Sequence, residues 1–260
     1  MTNQSLQLPA ALSNLIEPAA VSMYLNREWQ IDWGAVLARR PRILEHEQAL
    51  PPYFVLPEIL TLLEKALHSV DHLMIDTVWH TGARVSELLA LTPSSFHIDI
   101  ENNDSFVSLQ TLKKPRRGHP AISKRQAGPP KRMVPLRNGA YLDRVQRHLE
   151  TFKTKPNERI FSFTRQTANN RLKRIAAQLP NLPFEPSVHT LRHSFAINCV
   201  IHGAPIRILQ MWMGHSNIAS TEIYTRVLGT ETAHFMDAIQ FQSKQTNGVL
   251  ISDANKSLLE

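Results

Sequence analysis

Cysteine is almost absent from this sequence. The one cysteine, Cys199, lies in the apolar run FAINCVIHG. A lone thiol cannot form a disulfide within the chain, so the sequence favours a reducing compartment, the cytoplasm. Cys199 itself is expected to pack as a small buried hydrophobic side chain.

Long apolar runs are missing as well. No stretch reaches about 18 consecutive apolar residues, so no membrane-spanning helix is expected. The opening segment MTNQSLQLPAALSNLIEP lacks a basic region followed by a long apolar run, so no signal peptide is expected either. Repeats, low-complexity tracts and acidic clusters suited to two-metal nuclease chemistry do not occur in the sequence.

Basic residues are in excess. Lys and Arg number 29 against 22 Asp and Glu, which gives a formal charge of +7. This balance suits a polyanionic partner such as nucleic acid. Hydrophobic residues make up 42% of the 260 residues, enough for a real core.

Hydrophobic periodicity predicts a mainly α-helical domain over residues 51–230 that carries a small antiparallel β-hairpin. Pro57 suits the first turn of one helix, a second helix is predicted to end near Gly82, and a third to stop at Pro93. Ser187 suits the N-cap of a buried helix that stops at Gly203.

The strands of the hairpin and the two ends of the chain complete this organisation. The strand candidates are SFVSLQTL (105–112) and RMVPL (132–136). Residues 1–50 are predicted to form a short N-terminal segment, and residues 231–260 a C-terminal helix and a flexible tail.

Cationic and proton-handling side chains recur in short segments flanked by turns. Arg84 follows a helix-ending glycine in HTGARVSELLAL, and His189 and Arg192 lie on one helix face in HTLRHSFA. His215 follows a glycine turn in MGHS, nine positions before Tyr224 in STEIYTRV.

Each of these residues also has an ordinary structural explanation. Arg84 could form a surface ion pair with Glu87, and Tyr224 could be a half-buried core residue. A His-x-x-Arg pair also occurs often on solvated helix faces that have no catalytic role. The joint order along the chain, rather than any single residue, makes a functional interpretation specific.

These motifs resemble those of the tyrosine recombinase, or phage integrase, family over roughly residues 50–230. HTGARVSELLAL resembles the first-arginine motif, VHTLRHSFA the His-x-x-Arg motif, and LQMWMGHSNIASTEIYTRV the motif that ends in the nucleophile. The resemblance implies a mostly helical catalytic domain with a small sheet, and an enzyme that cuts and rejoins DNA without a metal or other cofactor.

Phosphodiester cleavage explains why such residues occur together. The reaction needs a nucleophile, neutralisation of charge on the phosphorus centre and an acid for the leaving 5′ oxygen. Arginine can fork onto two phosphate oxygens in a way that lysine cannot. The phosphodiester bond is exchanged for a 3′-phosphotyrosyl ester that keeps its bond energy, so strand exchange needs no ATP.

The resemblance assigns a role to each residue of the motifs. Arg84 and Arg192 are implied to hold the phosphate, and Tyr224 to be the nucleophile. His189 is implied to act in acid–base chemistry or positioning, and His215 to donate to the transition state. Glu87 occupies the place of a supporting acidic residue.

The catalytic lysine is implied to lie in the hairpin, where LQTLKKPRRG offers two neighbours. Strand alternation directs Lys113 and Lys114 to opposite faces. Lys113 is preferred because it directly follows the end of the strand, and Lys114 remains an alternative. From Leu112 to Arg137 there are nine Lys or Arg and no acidic residue, which favours an arm that follows DNA phosphates over a plain loop.

The helix RQTANNRLKRIAAQL is predicted to flank the DNA with its polar face, while Leu172 and Ile175 pack inward. The expected DNA-binding residues of the hairpin and this helix are Lys114, Arg116, Arg117, Arg171, Lys173 and Arg174.

The sequence departs from the family in two respects, the unusually basic hairpin and the short segment before the catalytic domain. Family members usually carry about 100 residues of DNA-clamping domain before the catalytic domain, whereas about 50 precede it here. The favoured function is resolution of plasmid multimers by a homotetramer on double-stranded recombination sites, with accessory DNA-bending proteins as possible partners. The alternatives are DNA inversion, integration, or a non-catalytic protein that organises a DNA site.

Overall fold

The computed structural model describes residues 31–110, 131–179 and 182–227. The helices are α1 (Trp33–His46), α2 (Leu56–Lys65), α3 (Ser69–Thr81), α4 (Val85–Leu88), α5 (Gly139–Phe152), α6 (Arg165–Ala176), α7 (Val188–Ile201), α8 (Ile206–Met213) and α9 (Ala219–Glu222). Short 3-10 turns cover Pro93–Ser95 and Ile223–Val227. The strands are β1 (Phe96–His97), β2 (Phe106–Gln110) and β3 (Lys131–Pro135). The predicted fold class, mainly helical with a small antiparallel sheet, is confirmed.

Side-chain caps fix where several helices begin. Asp32, Asn138, Thr164 and Ser187 each precede a helix and accept a hydrogen bond from the backbone N–H three residues later. Each cap satisfies a donor that the first helical turn leaves without a partner. The predicted cap at Ser187 is therefore confirmed.

The predicted third helix is much shorter than expected. It forms only α4, and the chain leaves it through tight turns at Ala90 and Leu91. The carbonyl of Leu91 accepts from the N–H of Ile160, 3.0 Å away. The Leu91 carbonyl thus accepts from a distant residue and not from the next helical turn, and α4 ends at Leu88, before Pro93 is reached.

The sheet has three antiparallel strands in the order β1-β2-β3. The predicted hairpin is present, with Val107 opposite Val134 and Leu109 opposite Arg132. The two-residue strand β1 was not predicted. Val107 and Leu109 alternate inward and are fully buried, as one covered face of a sheet requires.

Helix α3 runs through the middle of the fold. Met74, Ile75 and Val78 are fully buried, and α3 packs against α7 and α5. Full burial of each such side chain stabilises the fold by roughly 1.5–3 kcal/mol. A helix covered on most sides in this way gives a rigid base for the residues that follow its C-terminal end.

Helix α1 packs into the same hydrophobic cluster as the C-terminal part of the described chain. Val36 and Ile43 share this cluster with Tyr224 and Val227. Arg40, buried in α1, also donates to the Glu58 carboxylate. The domain boundary at residue 50 stays a prediction, and residues 1–30 and 228–260 lie outside the described part of the chain. Among the described helices, none combines the length and apolar character that crossing a membrane requires.

We expect Gly82→Ala to lower the free energy of unfolding by about 2–4 kcal/mol, because it adds both strain and overlap. Gly82 has φ +59°, and a Cβ there would lie 2.4 Å from Cδ1 of Phe195 and 3.1 Å from Sδ of Met213. Guanidinium unfolding followed by circular dichroism measures the change.

Gly139→Ala is the matched control, because a Cβ at that position meets no atom within 4 Å. It lies at the start of α5, where alanine is neutral or slightly stabilising. Equal stability of the two variants would contradict the close packing inferred around Gly82.

Candidate active site

Two glycine-terminated helices direct the chain toward one region. Gly82 ends α3 with φ +59°, and Arg84 follows it as the residue before α4. Gly214 ends α8 with φ +60°, and His215 follows it. Glycine adopts this left-handed conformation without steric cost. Both turns carry a predicted site residue immediately after the helix end.

Glu87 is the acidic centre of this region, with a side chain only 2% exposed. Arg132 donates from Nη1 to Oε1 and from Nη2 to Oε2, both at 2.6 Å. Arg84 donates from Nη1 to Oε1 at 2.9 Å, and its backbone N–H donates to Oε2 at 2.8 Å. Burial raises the pKa of Glu87, but the hydrogen bonds and charges of Arg132 and Arg84 outweigh it, and the net shift is downward. Glu87 is thus an ionised carboxylate that holds two guanidinium groups.

Arg192, on α7, is buried beside this pair with 1% of its surface exposed. It donates to the carbonyls of Gly82 and Met213, and its Nη2 lies 3.1 Å from Nε2 of His215. Burial, followed by the charges of Arg84 and Arg132, lowers the pKa of Arg192 to about 9, so it remains charged at neutral pH.

The carbonyls at the C-terminal end of α8 complete the environment of these arginines. Nη2 of Arg84 donates to the Gly214 carbonyl at 2.9 Å, and Nε of Arg132 donates to the Trp212 carbonyl at 2.6 Å. Such carbonyls have no helical partner and carry partial negative charge. We call Arg84, Glu87, Arg132 and Arg192 the arginine cluster. Three guanidiniums lie together with one carboxylate, which is hydrogen-bonded to Arg84 and Arg132, so the cluster keeps an excess of positive charge suited to an anion.

Tyr224 lies in the 3-10 turn after α9, with 1% of its surface exposed. Burial raises the pKa of its phenol to about 12, although the charges of Arg192 and Arg84 pull it down. Its ring stacks near His215, with 6.4 Å between the ring centroids. Nδ1 of His215 lies 2.9 Å from Oγ1 of Thr221, which orients the imidazole between Arg192 and Tyr224.

The hydroxyl of Tyr224 meets a second histidine of α7. Nδ1 of His193 lies 2.8 Å from this hydroxyl. The rings of His193 and His189 are in edge contact, with centroids 4.5 Å apart. Burial, then the charges of Arg192, Arg84 and Arg165, lowers the pKa of His189. The ring contact with His193 and the hydrogen bond of His193 connect His189 to Tyr224.

The structure places most of the sequence-predicted site residues in this one region. Arg84 is hydrogen-bonded to Glu87, and Arg192 lies 3.1 Å from His215, with both arginines donating to carbonyls at the end of α8. His189 and Tyr224 join this network through neighbouring rings. The predicted pair of Arg84 and Glu87 exists, but it is largely buried rather than a surface ion pair. The hairpin residues Lys113, Lys114, Arg116 and Arg117 lie outside the described residues.

The predicted DNA-binding residues of α6 lie apart from this network. Arg171 and Arg174 both pair with the buried Asp71, and Lys173 pairs with the exposed Glu185. Arg171 also lies over the Phe163 ring at 4.8 Å. The inward packing predicted for Leu172 and Ile175 is confirmed by their burial. The polar face is thus partly occupied by ion pairs within the protein.

Two residues of the site were missed from the sequence, namely Arg132 and His193. Arg132 lies in RMVPL, which was interpreted as a strand and as part of the basic hairpin, with no role in the active site. His193 directly follows Arg192 and is four residues from His189, a spacing that places the two histidines on one helix face. That spacing was the signal that could have identified His193.

Family comparison matches residues 53–231 to the phage integrase family. A protein named Resolvase from Escherichia coli is 32% identical over 237 residues, which cover 84% of this chain and 89% of that protein. Another Resolvase, from Escherichia coli (strain K12), is 30% identical over 265 residues and covers 95% of both chains.

Solved structures share the fold at lower identity. The XerA recombinase matches with a TM-score of 0.57 and 19% identity, over 75% of this chain and 65% of that chain. The XerH recombinase bound to palindromic difH substrate matches with a TM-score of 0.56 and 20% identity, over 73% of this chain and 53% of that chain.

We expect the protein to lose stability as the pH falls from 7 to 5, and His193 to contribute to that loss. Burial first, and then nearby positive charge, lowers the pKa of His193 to about 3. Below pH about 6.5, the ordinary histidine pKa, His193 takes up a proton in the unfolded protein but stays neutral in the folded protein. Proton uptake by the unfolded protein does not lower the free energy of unfolding above the unfolded pKa of about 6.5. This uptake lowers the free energy of unfolding by about 2 kcal/mol between pH 7 and pH 5.

The measurement is denaturant unfolding at both pH values for the natural protein and for His193→Gln. The variant should show a smaller difference between the two pH values. His202→Gln, at an exposed position after the same helix, is the control and should keep the full difference. An unchanged difference in His193→Gln would show that His193 is not held neutral by the fold.

Proposed function

The chain belongs to the phage integrase family and is a site-specific tyrosine recombinase, and we propose that Tyr224 is its nucleophile. The observation that carries the proposal is the excess positive charge of the arginine cluster beside a buried tyrosine. A phosphodiester is an anion that such a cluster can bind and polarise. Attack by the Tyr224 hydroxyl oxygen on the phosphorus gives a 3′-phosphotyrosyl link and a free 5′ hydroxyl.

We assign phosphate binding to Arg84 and Arg192. The side chain of Arg84 is 24% exposed, so DNA can reach it, while Glu87 and the Gly214 carbonyl fix its orientation. Arg192 is anchored by backbone carbonyls from beneath. Donors held in place before the reaction need no reorganisation when charge develops on the phosphate oxygens.

His215 and His189 support the same centre in this proposal. Nε2 of His215 accepts from the Arg192 guanidinium at 3.1 Å. To donate to the same phosphate oxygen, Nε2 must carry a proton and exchange this contact for one to the bound phosphate. His189, at the start of α7, has a lowered pKa that keeps it mostly neutral near pH 7. It suits a positioning or acid–base role at the edge of the site.

The general acid for the leaving 5′ oxygen is proposed to be Lys113, with Lys114 as the alternative. Gln110, at the end of β2, pairs with Lys131, and the adjacent Arg132 reaches Glu87. This end of the hairpin therefore lies beside the arginine cluster. Lys113 follows Gln110 by three residues in the sequence and lies outside the described residues.

DNA contacts outside the active site are proposed for the basic hairpin, through Lys114, Arg116 and Arg117, and for α6. Arg174 is 63% exposed although it pairs with Asp71, and Lys173 is 43% exposed. The ion pair of Lys173 with Glu185 is exposed on both sides and contributes about 0–1 kcal/mol, so a phosphate can compete for Lys173. Asp71 also pairs with Arg171, so it keeps a partner when Arg174 turns to a phosphate. Arg171 is less free to rearrange, because it also contacts Phe163.

For the biological role we propose resolution of plasmid multimers in the cytoplasm. The two proteins named Resolvase are similar to this chain over most of their length, which supports this role. A homotetramer on two sites, aided by DNA-bending proteins, would supply the four strand cleavages. Preferential recombination of directly repeated sites distinguishes resolution from inversion, and joining of sites on separate molecules distinguishes integration.

We expect Tyr224→Phe to abolish covalent attachment to DNA while leaving the affinity for DNA within a few-fold of the natural protein. The change removes one hydroxyl group and no charge. The probe is fragmented DNA of the replicon that encodes the chain. Detergent-stable protein–DNA complexes are recovered and sequenced, which also identifies the recombination site.

Tyr141→Phe is the matched control, because Tyr141 is a buried tyrosine whose hydroxyl donates to Thr77 in α3. It should form the covalent complex as the natural protein does. Covalent complexes formed by Tyr224→Phe would remove Tyr224 from the proposed role, and their absence from the natural protein would leave a non-catalytic DNA-binding role.

We expect Arg84→Lys to slow covalent complex formation by at least about a hundredfold, because charge is kept but the two-pronged contact is lost. The rate is measured in a single turnover on the site recovered by trapping. Arg147→Lys, an exposed change on α5, is the control and should match the natural rate. A near-natural rate for Arg84→Lys would show that charge alone suffices.

A further inference from the structure

His193 makes the hydrogen bond to the proposed nucleophile, yet it belongs to none of the roles assigned above. Its Nδ1 lies 2.8 Å from the Tyr224 hydroxyl oxygen, and the ring centroids are 5.8 Å apart. His193 follows Arg192 on α7, so one helix supplies both a phosphate ligand and a contact to the nucleophile.

The burial of Tyr224 determines the direction of this hydrogen bond. A phenol has one proton to donate, and a buried O–H without an acceptor costs about 1–3 kcal/mol. Nδ1 of His193 accepts that proton when the imidazole carries its own proton on Nε2. In the other tautomer Nδ1–H would donate to the phenol oxygen and leave the phenol proton buried. We therefore assign the accepting tautomer to His193.

The proposed reaction requires an acceptor for the same proton. Burial raises the pKa of Tyr224 to about 12, so the phenol is protonated at neutral pH and must lose its proton as it attacks. Arginine side chains remain protonated and cannot take it. Among the described side chains, the nitrogen in hydrogen-bond contact with the phenol is Nδ1 of His193.

We propose that His193 is a catalytic residue, the general base that takes the phenol proton from Tyr224 during DNA cleavage. This inference rests on the proposed function. As the Tyr224 oxygen bonds to phosphorus, its proton moves to Nδ1 of His193 and the bond from phosphorus to the 5′ oxygen breaks. That oxygen takes a proton from the general acid assigned above to the hairpin lysine. Religation runs the same steps in reverse, and His193 returns the proton to the phenol.

The surroundings of His193 link its basicity to the presence of DNA. Burial, then positive charge from His189 and Arg192 on its own helix and from His215 on the loop after α8, lowers the pKa of His193 to about 3. A bound phosphate brings negative charge that opposes those positive charges. His193 is thus a poor proton acceptor without DNA and a better one with it.

The first test replaces His193 with glutamine, which can accept a hydrogen bond but does not take a proton at neutral pH. Single-turnover formation of the covalent complex is measured on the site recovered by trapping. We expect His193→Gln to be slower by about 10²–10⁴-fold, the usual contribution of a general base. His202→Gln, the exposed control after the same helix, should match the natural rate.

A second substitution separates proton transfer from positioning. In the His193→Gln background, Tyr224 is replaced by 3,5-difluorotyrosine, whose phenol ionises more readily. If His193 takes the proton, this change should raise the rate of covalent complex formation by His193→Gln at least tenfold. The rate of His193→Gln should also rise about tenfold per pH unit, because ionisation must then precede attack.

A substrate with a 5′-bridging sulfur provides the contrast, because a thiolate leaves without an acid. This substrate should rescue a variant of the catalytic lysine, Lys113→Ala or Lys114→Ala. It should leave His193→Gln slow, since the phenol must still lose its proton.

Two results would overturn the proposal. One is a His193→Gln rate within threefold of the natural protein. The other is a slow His193→Gln that neither fluorination nor higher pH restores, which would make His193 a positioning residue only. If the natural protein forms no covalent complex at all, both this proposal and the proposed function fail. A natural protein that forms the complex with an unaffected His193→Gln contradicts this proposal alone.

The folding of each variant is checked by circular dichroism, and His193→Asn is used if the glutamine variant does not fold. Nitrogen NMR of the natural protein with labelled histidine gives a readout independent of DNA. An unprotonated Nδ1 on His193 at pH 7 is expected. A protonated Nδ1 would contradict the accepting role whatever the kinetics of the variants show.

Discussion

The site depends on one buried carboxylate, that of Glu87. Guanidinium groups repel each other and are costly to bury, yet Arg84, Arg132 and Arg192 lie side by side. Glu87 compensates part of this charge through both of its oxygens, and backbone carbonyls at the ends of α3 and α8 compensate more. What remains is a positive excess held in fixed geometry, and a phosphate is the ligand that would complete it.

The fold supplies this geometry through the ends of its helices. Gly82 and Gly214 release the chain from α3 and α8 in the left-handed conformation, so the last carbonyls face the arginines. Helix α7 crosses between them and carries His189, Arg192 and His193. Tyr224 is held from the other side by the hydrophobic cluster that includes Val36 and Ile43 of α1. Tyr224 and the arginine cluster therefore meet at α7, which carries both Arg192 and the His193 that contacts the Tyr224 hydroxyl.

The order and spacing of motifs made much of this predictable. Arg84, Glu87, His189, Arg192, His215 and Tyr224 could be selected because their motifs, taken in order, resemble those of the tyrosine recombinase family. The helical class and the hairpin followed from periodicity. The short α4 and strand β1 could not be predicted, because a tertiary hydrogen bond from Ile160 and a two-residue pairing decide them. Arg132 and His193 were not predicted for a related reason. Their partners, Glu87 and Tyr224, are 45 and 31 residues away in the sequence.

In the proposed reaction, the Tyr224 oxygen forms a bond to a DNA phosphate held by the arginine cluster. The direct measurement is mass spectrometry of the peptide that retains nucleotide after the covalent complex is digested with protease and nuclease. We expect a 3′-phosphonucleotide on the peptide that contains Tyr224, with fragmentation placing it on that residue. A nucleotide on any other side chain, or attachment through a 5′ phosphate, would contradict it.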